Sequence, residues 1–363
     1  MKITLKNTPE QVELVKAMAS RNRDVAYEAQ TALAEFIGPV LAEVINNAPA
    51  LSNLFTTLQY NADDNPSIPL DLYFDVSDED YVQVYSQSRA GGLPTSEVLP
   101  TSAELKIATY SLDSAVSFDR RYAAKSRMDV VAKTMTRVAQ EILLKQNTIS
   151  ANVIMSALAN ASTNGFSHVI DAQSADRFTL ADLNALLTRS KRITTSFVGG
   201  TPDARQGRGM TDIIVSPEIV EELRAIAYNP INTKSAPGAG SNSNVRTADV
   251  IAEEAYRAAG APEFYGINVI ELNEFGDGQK FNAIYGAAAG GGFTPASDQI
   301  VVGIDRSRES LIRPVAIDSE NGGEFNLIAD DQYSIRQNKI GYFGSLEEGR
   351  IVLDNRALVG VTV

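Results

Sequence analysis

Apolar residues near the N-terminus recur with the spacing of a helix. Thr8 is a candidate N-cap, Pro9 suits the first helical position, and Gln11 can complete a capping box with Thr8. Gly38-Pro39 is expected to end this helix, and the apolar residues at 40–45 predict a second, shorter one. Charged residues interrupt the apolar stripe. The segment is therefore expected to have little core of its own and to lie on another part of the structure.

Residues 60–119 have the two-residue periodicity of strands. Apolar and polar side chains alternate within 70–85 and 105–118, and Gly91 and Gly92 mark a tip between the two halves. This pattern predicts a long hairpin that contains no helix. Because a two-stranded hairpin is only marginally stable in water, part of its stabilisation is expected to come from elsewhere, for instance from a neighbouring subunit.

The strongest helical pattern follows the hairpin and runs from Arg127 to Asn160. Its apolar residues fall three, four and seven positions apart, at Val131, Met135, Val138, Ile142, Ile149, Val153 and Ala157. At a rise of about 1.5 Å per residue, such a helix reaches roughly 50 Å. A helix of that length is expected to act as a spine to which other elements attach.

The remainder of the chain mixes helical and strand patterns, which indicates an α+β fold. Thr179 is expected to cap a helix that continues through Ile193, and Ser216-Pro217 to begin another directly after a buried strand at 212–215. Further strands are predicted at 267–271, 281–285, 300–304, 333–343 and 350–363. The polar segment 229–246 predicts a long surface loop.

Composition removes several classes of function. The chain has 363 residues, of which 44% are hydrophobic, and its length suggests two or three domains. It has no cysteine and one histidine, His168, which excludes disulfides and multi-histidine metal sites. Its net charge of −13 disfavours a protein that grips DNA, since affinity for phosphate comes mainly from Lys and Arg. Neither a secretory signal nor a membrane-spanning apolar run is visible, so a soluble protein that acts inside the cell that makes it is expected.

Three features could carry chemistry, and each has a simpler structural explanation. His168 could be a general base, but no nucleophile motif accompanies it, and a surface or hydrogen-bonded loop histidine is expected. Gly286–Gly292 lacks the lysine and the glycine offsets of a phosphate-binding loop, and a flexible turn between strands is expected. The acidic patches at 63–64 and 78–80 lack the layout of a calcium loop. No catalytic residue, metal or cofactor is predicted.

Basic residues gather just before the predicted spine helix. Arg120, Arg121 and Arg127 would oppose the helix macrodipole at its N-terminus, which is unfavourable. Carboxylates of a neighbouring chain could offset this cost. We therefore predict that these three arginines form intersubunit ion pairs, with a solvated basic face as the alternative.

The order of these elements resembles the major capsid protein of tailed double-stranded DNA phages, whose fold is shared with encapsulins and with the floor of the herpesvirus capsid. Four regions of sequence are similar to segments of that family, and together with the element order they cover nearly the whole chain. They are the strand and proline-initiated helix at Asp212–Val220, the strands at Gly266–Ile270 and Val301–Asp305, and the closing pair Tyr333–Arg336 and Lys339–Phe343.

This resemblance implies a division of the chain into four named parts. They are an N-terminal arm at 1–59, an E-loop at 60–119 with Gly91 and Gly92 at its tip, a peripheral domain with the spine helix at 120–180 and 325–363, and an axial domain at 181–324.

The same resemblance implies a structural subunit and not an enzyme. Such a subunit assembles through pentamers and hexamers into an icosahedral head, which encloses double-stranded DNA without sequence-specific binding. It would be assembled in the host cytoplasm and located in the virion, without a membrane. Scaffold, portal and decoration proteins are its candidate partners.

Two other functions are compatible with the sequence. An encapsulin-type compartment has the same fold and encloses cargo enzymes, although the chain length and the segment 229–246 favour the phage subunit. An α+β enzyme that uses only carboxylates, such as a glycoside hydrolase, needs neither cysteine nor histidine. The absence of tryptophan makes a sugar-binding platform less favourable.

Overall fold

The chain folds into two compact units, each assembled from separate stretches of sequence. Unit 1 comprises Met1–Leu72, Pro100–Ser150 and Leu311–Ile351, and unit 2 comprises Tyr73–Leu99, Ala151–Ser310 and Val352–Val363. The computed structural model describes residues 8–46, 51–61, 64–69, 104–125, 127–163, 165–174, 177–194, 209–228, 263–264, 266–317, 324–330 and 337–363. Both units contain helices and strands, which confirms the predicted α+β class. The finer division into four parts stays a prediction.

In the described part of the chain, helices and strands are interspersed along the sequence. The helices are α1 Pro9–Met18, α2 Arg23–Asn46, α3 Arg120–Ala124, α4 Met128–Ala159, α5 Leu180–Thr194, α6 Pro217–Tyr228 and α7 Lys280–Ala289. The strands are β1 Thr56–Asn61, β2 Ser67–Pro69, β3 Glu104–Lys106, β4 Thr109–Asp119, β5 Ser162–Thr163, β6 Phe166–Ser167, β7 Val169–Asp171, β8 Asp212–Val215, β9 Glu263–Phe264, β10 Ile267–Glu271, β11 Ile300–Ile304, β12 Leu311–Ile317, β13 Asn326–Asp330, β14 Lys339–Gly349, β15 Ile351–Val352 and β16 Leu358–Thr362.

The first helix begins as predicted but ends much earlier. The Gln11 backbone N–H donates to the Thr8 hydroxyl at 3.4 Å, with Pro9 in the first turn. The side-chain Oε1 of Gln11 has no hydrogen-bond partner, so the capping box is only half formed. The helix ends at Met18, and α2 begins at Arg23 after a short break.

The prediction that Gly38-Pro39 ends a helix is wrong, because α2 continues through both residues. Leu33, Ile37, Leu41 and Ile45 lie one turn apart and are at most 3% exposed, in the core of unit 1. Burying each of these side chains contributes about 1.5–3 kcal/mol, which together exceeds the ~3 kcal/mol cost of an internal proline. The N-terminal helices thus pack onto a core that β4, α4 and β14 also form, as expected of a segment with little core of its own.

The sheet of unit 1 is organised around the long strand β14. Over its whole length β14 pairs antiparallel with β4, from Lys339 opposite Asp119 to Gly349 opposite Thr109. β13 and β12 also pair with β14, and β1 joins β12 in parallel. The predicted apolar face of α4 packs against the same core, and Phe118 stacks on Tyr342 with 6.2 Å between ring centroids. The spine helix was predicted at 127–160, and α4 confirms it.

Unit 2 has a second six-stranded sheet in the order β7-β16-β11-β8-β10-β9. All four residues of β8 are buried, as predicted for the strand at 212–215. Helices α5 and α6 supply apolar side chains to its core. The Ser216 cap is present, since the Ile219 N–H donates to the Ser216 hydroxyl at 3.2 Å. Thr179 precedes α5, where its backbone N–H and its hydroxyl both donate to the Asp182 carboxylate.

The strand predicted at 281–285 is wrong, because these residues lie in helix α7. Phe281, Asn282 and Tyr285 are buried at the spacing of one helical turn. The turn predicted at Gly286–Gly292 is only partly correct. Gly286 lies inside the helix, where a Cβ would come 2.6 Å from Pro295, and Gly290 ends the helix with a φ of 70°.

Candidate intersubunit contacts

Arg121 is paired with a carboxylate of its own chain. Asp119 precedes α3 and accepts a hydrogen bond from the Arg121 backbone N–H at 2.9 Å, which caps the helix. The Arg121 guanidinium lies 2.8 Å from the same carboxylate, and 81% of the arginine side chain is exposed. Hydrogen bonds from Arg121 hold the pKa of Asp119 below its usual value. Arg121 therefore presents an exposed ion pair and not a lone cation.

Arg120 forms hydrogen bonds within unit 1. Its Nε and Nη2 donate to the Ala19 carbonyl at 3.3 and 3.1 Å. Ala19 follows the last residue of α1, where carbonyl groups lack helical partners and the macrodipole is negative. Arg120 is thus held in one orientation within unit 1.

The predicted basic start of one spine helix is divided between two elements. Arg120 and Arg121 open the short helix α3, whereas Arg127 is exposed and directly precedes α4. The intersubunit role of these three residues stays a prediction. The proposed tip residues Gly91 and Gly92 lie outside the described residues, as does the segment 229–246. What is described of the hairpin is its base, where β2 pairs antiparallel with β3.

A charged cluster that we did not predict is buried in unit 1. Glu348 on β14 is fully buried and lies 2.6 Å from Arg313 Nε and 3.0 Å from Arg350 Nη2. The two arginine side chains are 5% and 0% exposed. Two guanidiniums therefore share this one carboxylate away from water.

Neutral groups complete the cluster around Glu348. The Tyr110 hydroxyl donates to Oε1 at 2.8 Å and Gln146 Nε2 donates to Oε2 at 3.1 Å, so all four acceptor positions of the carboxylate are used. Burial and the charge of Glu348 raise the pKa of Tyr110 well above its usual range. Arg350 also donates to the Gln146 carbonyl at 3.1 Å. This arrangement joins α4 to the sheet and leaves no lone pair for acid–base chemistry.

The two-residue alternation of side chains along a strand indicates part of this cluster in the sequence. Tyr342, Leu346, Glu348 and Arg350 differ by even numbers of residues and so share one face of the β region, and all four are buried. Two charged residues in register with two apolar ones on a buried face require partners there. Sequence alone does not identify those partners.

His168 is a buried, hydrogen-bonded loop histidine in unit 2. Its Nδ1 lies 3.0 Å from the Leu358 carbonyl, so Nδ1 carries the proton and donates. The Thr163 hydroxyl then donates to Nε2 at 2.7 Å. Burial lowers the pKa of His168, with a smaller opposing effect from its hydrogen bond to Leu358. The histidine thus joins β16 through Nδ1 to β5 through Nε2.

This burial predicts a pH dependence of stability. Because the pKa of His168 is lower in the folded state, the unfolded chain takes up the proton first. The free energy of unfolding should therefore fall as the pH decreases through about 6.5, the ordinary value for histidine. Asp354 opposes this shift and Arg189 adds to it.

The measurement compares urea unfolding of wild type and His168→Asn at several pH values. His168 is the single histidine of the chain, so the wild type should lose more stability between neutral and mildly acidic pH than the variant does. Parallel stability curves for the two proteins would contradict the prediction.

Two buried carboxylates in unit 2 bear on the alternative of a carboxylate enzyme. Asp305 accepts hydrogen bonds from the Ser307 N–H at 3.0 Å and from its hydroxyl at 2.5 Å, and burial raises the pKa of Asp305. Asp212 accepts from the Thr211 hydroxyl at 2.6 Å and from Asn268 at 3.2 Å. Both accept hydrogen bonds at strand ends and turns, and Oδ2 of Asp305 has no hydrogen-bond partner.

No group of three or more His, Cys, Asp or Glu side chains within the described ranges could hold a metal ion. Within the same ranges, no helix combines the length and apolarity needed to cross a membrane.

The chain has structural relatives that sequence comparison does not detect. No protein-family model and no curated protein matches the sequence. A capsid chain of the native GTA particle matches with a TM-score of 0.51 at 10% identity, over 86% of this chain and 89% of that one. A chain of Microbacterium phage Oxtober96 gives 0.50 at 12% identity, over 86% and 90%. A chain of the SrpI encapsulin complex from Synechococcus elongatus gives 0.46 at 12% identity, over 87% of each.

Proposed function

Because the chain has the α+β capsid fold of the GTA and phage chains, we propose that it is the structural subunit of an icosahedral phage head. The observation that supports this most is the extent of the match, which covers 86% of this chain and 89% of the GTA capsid chain. In this proposal the subunit assembles through pentamers and hexamers and catalyses no reaction.

The charge of the chain supports a container for DNA. A net charge of −13 repels nucleic acid, so packaged DNA would be enclosed without sequence-specific binding and could leave freely. The subunit would be assembled in the host cytoplasm and reside in the virion. Scaffold, portal and decoration proteins are its proposed partners.

The division into capsid parts belongs to the same proposal. The arm is placed at 1–59, the E-loop at 60–119, the peripheral domain at 120–180 and 325–363, and the axial domain at 181–324. The pairing of β2 with β3 supports the E-loop, because these strands form a separate two-stranded sheet at the base of the segment that includes Gly91 and Gly92.

Electron microscopy of the protein expressed alone, combined with light scattering, tests the proposal. Closed shells, tubes or rings of five or six subunits are expected. A species that stays monomeric at high concentration would argue against a self-assembling shell. The contents of purified particles then separate two functions, since DNA supports the phage head and a protein cargo supports a compartment.

Arg127 offers a mutational test of the contact prediction. Arg127→Glu should lower the yield of shells about tenfold, the factor that corresponds to ~1.4 kcal/mol of lost contact energy, with no change in the thermal midpoint of the subunit. Lys133→Glu is the matched control, because Lys133 is also exposed, lies on α4 and undergoes the same change of charge. Equal shell yields from the two variants would refute a contact at Arg127.

A further inference from the structure

We propose that unit 1 contains a binding site for a single oxyanion, in a cavity between the end of α1 and the start of α2. The cavity has a volume of about 170 Å³. That is close to the ~150 Å³ of a protein cavity known to hold a benzene-sized molecule. One phosphate or carboxylate group therefore fits.

The charge of the cavity wall favours an anion. Arg21, Arg23, Arg120 and Lys339 line it, and none of the lining residues in the described ranges is acidic. This concentration of positive charge occurs in a chain whose net charge is −13. An oxyanion in the cavity is attracted by this positive charge.

The carboxylate nearest in sequence to Arg120 does not fill this role. Asp119 feels the charge of Lys339, but its oxygens are engaged by Arg121, with one contact of 2.8 Å. Arg120 is fixed in orientation because Nε and Nη2 donate to the Ala19 carbonyl. The cavity therefore has a rigid guanidinium in its wall before any ligand arrives.

Gln30 adds a buried amide to the cavity wall. This residue lines the cavity and is 3% exposed, and its Oε1 has no hydrogen-bond partner. An unpaired buried amide is unfavourable. A 180° rotation of the amide exchanges Oε1 with Nε2, so Gln30 can direct N–H donors at an oxyanion.

The backbone and the floor of the cavity add to the attraction. The first residue of the 24-residue helix α2, Arg23, lines the cavity, so the positive end of the helix dipole lies beside it. Met18 and Ile340, each 1% exposed, form an apolar floor. Such a floor excludes water from one side and strengthens the interaction between ligand and charges.

Titration of the unassembled, full-length protein with inorganic phosphate tests the site. Calorimetry at constant ionic strength should show one saturable site. Arg21→Gln combined with Lys339→Gln should weaken phosphate binding at least about tenfold, as loss of charge-assisted hydrogen bonds implies, and Gln30→Leu should weaken it as well. The matched control is Lys133→Gln with Lys145→Gln, which removes two exposed charges from α4.

The outcomes discriminate between specific and diffuse binding. Absence of saturable binding in the wild type overturns the proposal, as does equal weakening in the control pair. Acetate competition and a repeat on assembled particles identify the source of the oxyanion. Loss of phosphate capacity on assembly assigns the site to a carboxylate of another copy, and retained capacity assigns it to free phosphate. The subunit titration does not depend on shell formation, so failure of either proposal is recognised separately.

Discussion

Replacing Glu348 by glutamine is expected to lower the free energy of unfolding by about 3–5 kcal/mol, the usual cost of breaking a buried ion pair by removing one partner. The substitution preserves side-chain size but removes the charge that Arg313 and Arg350 share. Both arginine side chains are buried, with exposures of 5% and 0%. Urea unfolding followed by circular dichroism measures the change.

Two further variants separate charge from packing. Glu347→Gln is the control, since Glu347 is partly buried and its Oε1 accepts a hydrogen bond from Tyr60 at 3.1 Å, which glutamine can also accept. Its cost should be about 1 kcal/mol or less. Replacing Glu348, Arg313 and Arg350 together by Leu, Met and Met should recover most of the stability lost in Glu348→Gln. Equal costs for Glu348→Gln and Glu347→Gln would show that the buried charge is unimportant.

Tyr342→Ala is expected to cost about 3–5 kcal/mol, the range for removing a large buried aromatic side chain. Tyr342 is 1% exposed, stacks on Phe118 and places its hydroxyl 3.9 Å from the Met18 sulfur. The ring thus fills the space between β4 and α1, and alanine would leave a cavity there.

Replacing Tyr342 by phenylalanine tests whether the loss of the ring, and not of the hydroxyl, causes the destabilisation. Tyr342→Phe should cost less than about 1.5 kcal/mol, because it keeps the ring and loses only a weak bond to a thioether. Phe343→Ala should also cost less than Tyr342→Ala, since Phe343 is only partly buried. Thermal and urea unfolding of the three variants should rank Tyr342→Ala as the least stable, and any other order would contradict the cavity argument.

Much of the fold was predictable from local pattern. The helix predicted at 127–160 is Met128–Ala159, and the strands predicted at 212–215, 267–271 and 300–304 have the same bounds in the structure. Long periodic runs, capping residues and uninterrupted buried strands are determined over a few neighbouring residues. The order of such elements was sufficient to suggest the capsid fold, and the structural comparisons confirm it.

The errors occurred where distant packing outweighed local preference. Pro39 is tolerated because the same helix buries four aliphatic side chains. The short apolar run at 281–285 fits a strand or a helix equally well in sequence. The structure resolves this ambiguity, since Phe281 and Tyr285 both face the interior from one side of α7.

The candidate sites were less predictable because their partners are distant in sequence. Arg120 bonds to a carbonyl 101 positions earlier, and Gln146 bonds to Glu348 across 202 positions. Contacts between residues so far apart leave no pattern in the neighbouring sequence. The oxyanion cavity combines residues from α1, α2, α3 and β14, of which sequence reasoning had singled out only Arg120 as a contact residue.

The position of β16 has a consequence for synthesis of the protein. This strand lies between β7 and β11 in the sheet of unit 2, and β14, also near the C-terminal end, pairs with three other strands in unit 1. Neither sheet is therefore complete until these two strands have been synthesised, after the strands with which they pair. A product that lacks these strands would expose unpaired strand edges, which favour aggregation.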